Sequence, residues 1–420
     1  MQGRSRIEQV GRVLFISGLS IFAVSGSFSI SLTEGGVLLA WVGFVLRWRA
    51  PGRGRNMILL DYLVAALLVW VFITALTSPH RLTSLKAFRS EWLVLTYFLI
   101  SFGIESSGQL RRIFRLLAIV ASVLAIYGII QHFTGVDYIK HKHVHAWRHT
   151  YKALGLLGHH ITFGIFYAWV FSISLSFLVF ISGNLRSKIT WTVLTCLPAL
   201  AVLYSFSRAA WLGATFSLLA IAALKRFRVG YLVLVVLAVV VVAVILEPSA
   251  IERATVPTGG EQASRSDATR VLLLKTSFRM IRARPVFGIG PGTFTAEFDD
   301  FKVPGDYSTT CHPHNDFVNY AVTSGLIGLA IMVAIVITAL RAALEVYGGA
   351  RDSVTRTLAA AACGGIVVIV VSGFFQCNLT DSEIAVQAWL IVGTLGLLVR
   401  MRRSEGSTQH RDDSARTQGH

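Results

Sequence analysis

The chain has 420 residues, 54% hydrophobic and 15% charged, with 39 Lys+Arg against 22 Asp+Glu and a formal net charge of +17. A soluble domain of this length carries more charge, and the apolar residues here run long enough to cross a bilayer, at about 20 residues per helix. A soluble all-α protein is therefore a poor alternative, β-barrel alternation is absent, and no basic-aromatic motif directs the charge toward nucleic acid; membrane lipids are the expected partners of the surplus cations.

In chain order, Arg4, Arg6 and Arg12 precede an apolar stretch without a clear small-residue cleavage site, which reads as a retained first span. Apolar segments predict about twelve transmembrane helices, near 13–31, 35–46, 57–77, 90–104, 114–134, 160–181, 188–206, 209–224, 229–246, 317–340, 357–376 and 384–400. The second and fourth are short. The seventh and eighth, parted by little more than Ser207-Arg208, predict a tight hairpin at the outer surface. The organisation expected is residues 1–246 as spans one to nine, 247–316 as an outer loop domain, 317–403 as spans ten to twelve and 404–420 as a polar, disordered tail. Of the four cysteines, Cys196 and Cys363 sit in apolar runs and read as packing residues. Cys311 and Cys377 both fall on the outer side, and a bridge between them is left open.

An even number of spans puts both termini on one side. Every connection on that side is basic: Arg47, Arg49, Arg53 and Arg55; Arg111, Arg112 and Arg115; Arg186 and Lys188; Lys225, Arg226 and Arg228; Arg341, Arg351 and Arg356. Arg400, Arg402 and Arg403 follow the last span, so this side reads as cytoplasmic. The opposite side also holds cations that orientation does not require: Arg81, Lys86 and Arg89; Lys140, Lys142, Arg148 and Lys152; Arg208; and those of the long loop. They suit a solvated surface or lipid headgroups, or, the reading favoured because several loops share the feature, an anionic substrate at the outer face. The spans lack a mid-membrane chain of Asp, Glu or His and paired Gly/Pro-broken helices, which argues against a transporter.

Within the loop, Ser266-Asp267 offers a helix N-cap, 268–284 has helical periodicity and Pro285 stops it. At about 100° per residue, Val271, Leu274, Phe278 and Ile281 form an apolar face with Lys275, Arg279 and Arg282 beside it, the pattern of an amphipathic helix on a membrane surface. Arg270 stands apart from that stripe and in the first turn, where a cation is mildly unfavourable, which suits a specific role as well as an ordinary exposed arginine. Gly288-Ile289-Gly290-Pro291-Gly292 lacks the strand and spacing of a dinucleotide fingerprint and reads as a tight turn folding the chain back over the membrane. His312 and His314 precede the tenth span, as interfacial residues or as an imidazole at a cavity mouth with Asn315 orienting a ligand. His141, His143, His145 and His149 alternate, but the interleaved Lys140, Lys142 and Arg148 suit a bound phosphate better than a metal.

Three pieces occur together: Ser207-Arg208-Ala209-Ala210-Trp211-Leu212-Gly213 at a span start, Arg270 fifteen residues before Pro285 in a segment ending Phe287-Gly288-Ile289-Gly290, and His314-Asn315-Asp316-Phe317 followed by Gly325-Leu326-Ile327-Gly328. Their order, spacing and intervening loop resemble the O-antigen ligase/polymerase superfamily of bacterial envelope glycosyltransferases. Two positions depart from the family pattern: Val318 stands where Leu is usual, and Ser324 where an acidic residue often precedes the glycine pair. The resemblance implies a GT-C-like, all-α polytopic protein of the bacterial inner membrane, with its active site facing the periplasm. It implies transfer of a glycan from an undecaprenyl diphosphate-linked donor, to lipid A-core in a ligase, to another lipid-linked glycan in a polymerase, or to a protein in an O-oligosaccharyltransferase. The short tail after Arg403 favours the first two.

Displacing a sugar from a diphosphate requires stabilising the leaving group and deprotonating the acceptor hydroxyl. The outer side offers no convincing carboxylate pair for a metal, Asp299-Asp300 reading as a solvated turn, so no metal or cofactor is expected. Arginine can stabilise the charge instead, binding phosphate oxygens bidentately without losing its proton. Arg208 and Arg270 are the expected diphosphate clamp with Arg148, Lys152, His312 and Asn315 as helpers, and His314 the expected general base, or alternatively a diphosphate ligand. A lipid-linked glycan transporter would use the same cations without a base.

Overall fold

The computed structural model describes residues 6–47, 56–147, 150–181, 183–226, 261–307 and 310–417, with the side chains of 147, 261–267 and 406–417 left undescribed. Among the described residues, nine α-helices precede residue 226: α1 Arg6–Ser25, α2 Ile30–Leu46, α3 Leu59–Thr77, α4 Arg81–Phe88, α5 Thr96–Gly103, α6 Ser107–Thr134, α7 His160–Phe180, α8 Leu185–Tyr204 and α9 Arg208–Leu224. Five follow: α10 Glu261–Ala283, α11 Phe294–Phe301, α12 Asp316–Gly349, α13 Ser353–Gly373 and α14 Ser382–Thr417. Between α6 and α7, β1 (Val136–Asp137) pairs antiparallel with β2 (Lys142–His143), and β3 (Ala146–Trp147) with β4 (Thr150–Tyr151). Beyond these four two-residue strands, a helical protein is what a bilayer imposes, since each backbone N–H and C=O must find its partner inside its own segment.

Eight of these helices are long and apolar enough to cross a membrane (α1, α3, α6, α7, α8, α12, α13 and the first part of α14), and α2 and α9 are shorter apolar helices. The expected count of about twelve is thus met in part. The segment 229–246 lies outside the described residues. The segment 90–104 is a 3₁₀ turn, Arg89–Leu95, running into the eight-residue α5, because Ser90 and Glu91 at its head line a cavity rather than continue a spanning helix. The turn between α8 and α9 is as tight as expected, but α9 packs chiefly on α13 and α7 rather than back along α8. The last helix continues to Thr417 through residues whose composition reads as a polar tail. All four cysteines are thiols, with Cys363 and Cys377 buried and Cys196 and Cys311 exposed.

Small residues and shared hydrogen bonds hold the helices together. A Cβ at Gly18 would meet the Gly36 carbonyl at 2.6 Å, so α1 and α2 touch backbone to backbone, as membrane helices do where small residues face each other. Pro198 inside α8 leaves the Leu194 carbonyl without its helical donor, and the Ser122 hydroxyl of α6 donates to it at 3.0 Å. At one end of the bundle, Arg400 of α14 meets the buried Asp61 of α3 at 2.5 Å and lies over the Phe102 ring, while Tyr97 Oη donates to the same carboxylate at 2.6 Å. A buried charge needs this kind of full pairing. At the opposite end, the Ala153 N–H donates to Tyr204 O, Thr162 Oγ1 to Asp381 and Asn315 Nδ2 to Phe374 O, which gathers the loops of α6–α7, α8–α9, α10–α12 and α13–α14.

The α10–α12 segment sits on that end. Its helix begins at Glu261, ahead of the expected cap at Ser266-Asp267. The face it buries is Thr269, Leu273, Thr276, Ser277 and Met280, whereas Val271 and Phe278 of the predicted apolar face are 51% and 55% exposed. Its apolar stripe therefore turns away from the protein, with Lys275, Arg279 and Arg282 exposed beside it. The glycine motif after Pro285 does more than turn. The N–H groups of Ile289 and Gly290 donate to Val322 O and Thr323 O, both at 2.9 Å, and Leu326 N donates to Pro285 O at 2.8 Å. This exchange is possible because α12 breaks at Gly325, with φ 68° and ψ −178°. Ser78 Oγ of the α3–α4 turn donates to Ile289 O, and Trp70 Nε1 to Ser324 O, pinning the same junction from the other side.

A side chain at Gly325 would force the left-handed backbone and drive its Cβ into the Val286 carbonyl. Gly325→Ala is expected to destabilise the purified protein in detergent by more than about 1 kcal/mol. Gly348→Ala, where the added methyl meets open space in the same helix, should be neutral or stabilising. Thermal unfolding of the two variants side by side is the measurement.

Candidate active site

The Ser207 hydroxyl caps α9 by accepting the Ala210 N–H, and Trp211 Nε1 donates to Val202 O, so the α8–α9 turn is fixed at both ends. Phe206 pays for that tightness in a left-handed conformation, φ 52°. Arg208 is consequently the first residue of α9, where the unpaired N–H groups and the helix dipole are already positive. A guanidinium there raises local positive potential and favours an anion beside it.

Arg208 and Arg270, 62 positions apart in the sequence and on different helices, line one cavity of about 350 Å³. His160 at the start of α7 and Gln376 of the α13–α14 loop complete its polar wall, and Ile161, Phe206, Leu212 and Phe375 make its apolar surface. The His160 ring is held by Nδ1 against Ser205 O at 2.9 Å. Two cations on a partly apolar wall match a lipid that carries an anionic head.

His314 reaches this cavity through Gln376: its Nδ1 lies 2.9 Å from Gln376 Oε1. Nδ1 is then the protonated nitrogen, donating to the amide oxygen, and Nε2 keeps its lone pair. The residue is held at φ 52°, and its backbone N–H donates to His312 Nδ1 at 3.3 Å. Asn315 fixes it from the next position: its Oδ1 caps α12 by accepting the Val318 N–H and its Nδ2 donates to Phe374 O, tying α12 to the segment that bears Gln376. Burial holds the His314 imidazole below its ordinary pKa, with the Arg270 and His159 charges adding and the Gln376 bond opposing. His312 is pushed further, down to about 4, by burial and by the charges of His314 and Arg270. Both rings are therefore neutral near pH 7.

Of the residues expected from sequence, the structure thus brings Arg208, Arg270 and, through Gln376, His314 to one cavity. His312 lies against His314 with ring centroids 4.2 Å apart but lines a separate cavity. Asn315 uses both ends of its amide within the chain. Lys152 follows β4, donating its N–H to His145 O, and does not line the cavity. Arg148 and His149 lie outside the described residues. His141, His143 and His145 sit on the exposed hairpins, and among the described residues no group of three His, Cys, Asp or Glu is placed to hold a metal. Sequence reading missed His160 and Gln376. Gln376 carries no motif, and only its place two residues after Phe374, at the far end of the Asn315 bond, marks it.

If burial and the Arg270 charge act on His314 as the geometry indicates, the imidazole should titrate below about 6.5, its usual value. Gln376→Glu, by placing an anion on Nδ1–H, should raise that midpoint, whereas Arg270→Gln should raise it by removing a nearby cation. Histidine-selective NMR titration of the protein in nanodiscs reads both, and a midpoint unmoved by either change would rule out the arrangement.

Residues 191–333 match the family described as O-antigen ligase. The match contains Arg208, Arg270, the glycine motif, His314 and Gly325, and ends before Gln376. Among curated proteins, no relative matches.

Proposed function

We propose, for a protein of the O-antigen ligase superfamily, that the cavity between α7, α9, α10 and the α13–α14 loop is where a glycan leaves its diphosphate carrier for an acceptor hydroxyl. The finer reading is an O-antigen ligase of the bacterial inner membrane. It takes glycan from undecaprenyl diphosphate and passes it to lipid A-core oligosaccharide at the periplasmic face, in lipopolysaccharide biosynthesis. The observation that carries it is the convergence of Arg208 and Arg270 on one partly apolar cavity with a neutral histidine at its edge.

The steps follow from these groups. The diphosphate lies between the two guanidiniums and the α9 N-terminus, and the polyprenyl chain runs along the apolar surface toward lipid. The acceptor oxygen attacks the anomeric carbon from the face opposite the diphosphate while His314 Nε2 takes its proton. The bond from the anomeric carbon to the diphosphate oxygen breaks, its electron pair leaves with the diphosphate, and the arginines stabilise the charge that develops there. One displacement inverts the anomeric centre. Gln376 keeps the base in the tautomer that can accept the proton. The helix-end grouping supports an orientation in which this end faces the periplasm and both termini the cytoplasm, with the basic connections on the inner side.

His314→Ala should lower transfer by roughly 10²–10⁴-fold while leaving the protein inserted and able to bind undecaprenyl diphosphate. Arg208→Ala and Arg270→Ala should weaken binding of the carrier as well as turnover, and EDTA should leave the wild-type rate unchanged. The assay is formation of covalent conjugate by purified protein from donor lipid and either lipid A-core or a second lipid-linked glycan as acceptor. Conjugate on lipid A-core alone marks a ligase, on the lipid-linked glycan alone a polymerase, and none with either acceptor sinks the enzymatic reading in favour of transport.

A further inference from the structure

The packed His312–His314 pair touches two cavities of different character, His312 by lining one and His314 through Gln376 in the wall of the other. On one side lies the cationic cavity described above. On the other, a cavity of about 290 Å³ is enclosed by α3, the 3₁₀ turn, the loop after Pro291, the start of α12 and the start of α14. Its wall contains Glu91, His312, Asn319, Tyr320 and Trp389, and none of its lining residues is Lys or Arg.

Four side chains in this wall, the Glu91 carboxyl, the Asn319 amide, the Tyr320 hydroxyl and the Trp389 indole N–H, make no hydrogen bond or ion pair with any described residue. His312 adds one more group. Its Nδ1 accepts the His314 N–H, so its ring proton resides on Nε2. Donors and acceptors thus share one space of small-molecule size, at the lower end of the range for ligand pockets. No Lys or Arg in this wall could hold a phosphate, so the diphosphate is not the ligand here. Hydroxyls, each able to donate to Glu91 and accept from Tyr320, Trp389 or Asn319, satisfy the whole set, and the apolar Trp389 ring suits the C–H face of a sugar.

We propose that this second cavity is a sugar-binding subsite that takes a single ring through its hydroxyls, with Glu91 as the principal acceptor. The inference rests on the transferase reading and names what that reading leaves unassigned. The ring belongs either to the acceptor oligosaccharide or to the donor sugar next to the diphosphate, and the chemistry of recognition is the same for both.

Glu91→Gln and Tyr320→Phe keep shape and remove one hydrogen-bonding function each. For these variants and the wild type in nanodiscs, three affinities are measured: for bare undecaprenyl diphosphate, for the same carrier bearing one hexosamine, and for lipid A-core. Affinity for the bare carrier should stay within a factor of two of wild type, which also shows that the fold is intact. Affinity for one sugar-bearing ligand should fall about ten- to hundredfold in Glu91→Gln and less in Tyr320→Phe. A fall for lipid A-core assigns the ring to the acceptor, and a fall for the hexosamine-bearing carrier assigns it to the donor. Unchanged affinity for both sugar-bearing ligands, or an equal fall for the bare carrier, overturns the subsite. Because binding is measured directly, a wild type that binds these lipids but forms no conjugate would refute the transferase reading and leave this test standing.

Discussion

The break in α12 at Gly325 is the constraint from which the loop-bearing end of the molecule, with its cavities, is built. A continuous helix would spend the Val322 and Thr323 carbonyls and the Leu326 N–H internally. By opening the backbone at one residue of positive φ, the chain frees these groups to bind Pro285, Ile289 and Gly290. The loop is thereby joined to the top of a transmembrane helix through main-chain hydrogen bonds, with no side chain between. Pro285 ends α10, which carries Arg270; α12 begins at Asp316, directly after His314 and Asn315. One backbone junction therefore sets His314 relative to Arg270.

The second cation comes from a different source of order. Arg208 is placed by a three-residue turn held locally by the Ser207 cap and the Trp211 indole, and from α7 by the His160 ring on Ser205 O. Neither arrangement needs the other to form, but only their meeting makes a cavity. Asn315 and Gln376 complete it by tying α12 to the α13–α14 loop. The left-handed backbones of Phe206 and His314 fall at these two joints, where surrounding bonds determine the conformation and can hold the strain.

On the function and subsite proposed above, the two cavities beside the histidine pair would sort a diphosphate from a neutral sugar by charge, since Arg208 and Arg270 line one and no Lys or Arg lines the other. The neutral imidazoles at the boundary add no charge to either side.

The sequence by itself determined that the chain crosses a membrane many times, because apolar runs of spanning length admit no other folded state, and it marked Arg208, Arg270 and His314 through motifs whose spacing is local. It also located the turns at Ser207 and at the glycine motif, since capping and positive-φ chemistry are written in single residues. It found the amphipathic stripe of α10 but not the face packed on the protein, because periodicity marks an apolar stripe without saying what covers the opposite side, and here Thr269, Leu273, Thr276, Ser277 and Met280 face inward. It read residues 90–104 as a span, since composition does not reveal that Glu91 turns toward a cavity. Only the tertiary structure decided that Gln376 meets His314 and that Glu91, Tyr320 and Trp389 share a wall with His312. These residues stand 62 and more positions from the histidines they serve or, like Tyr320, inside a helix whose register alone does not say what it faces, and contacts of that kind are products of packing rather than of local pattern.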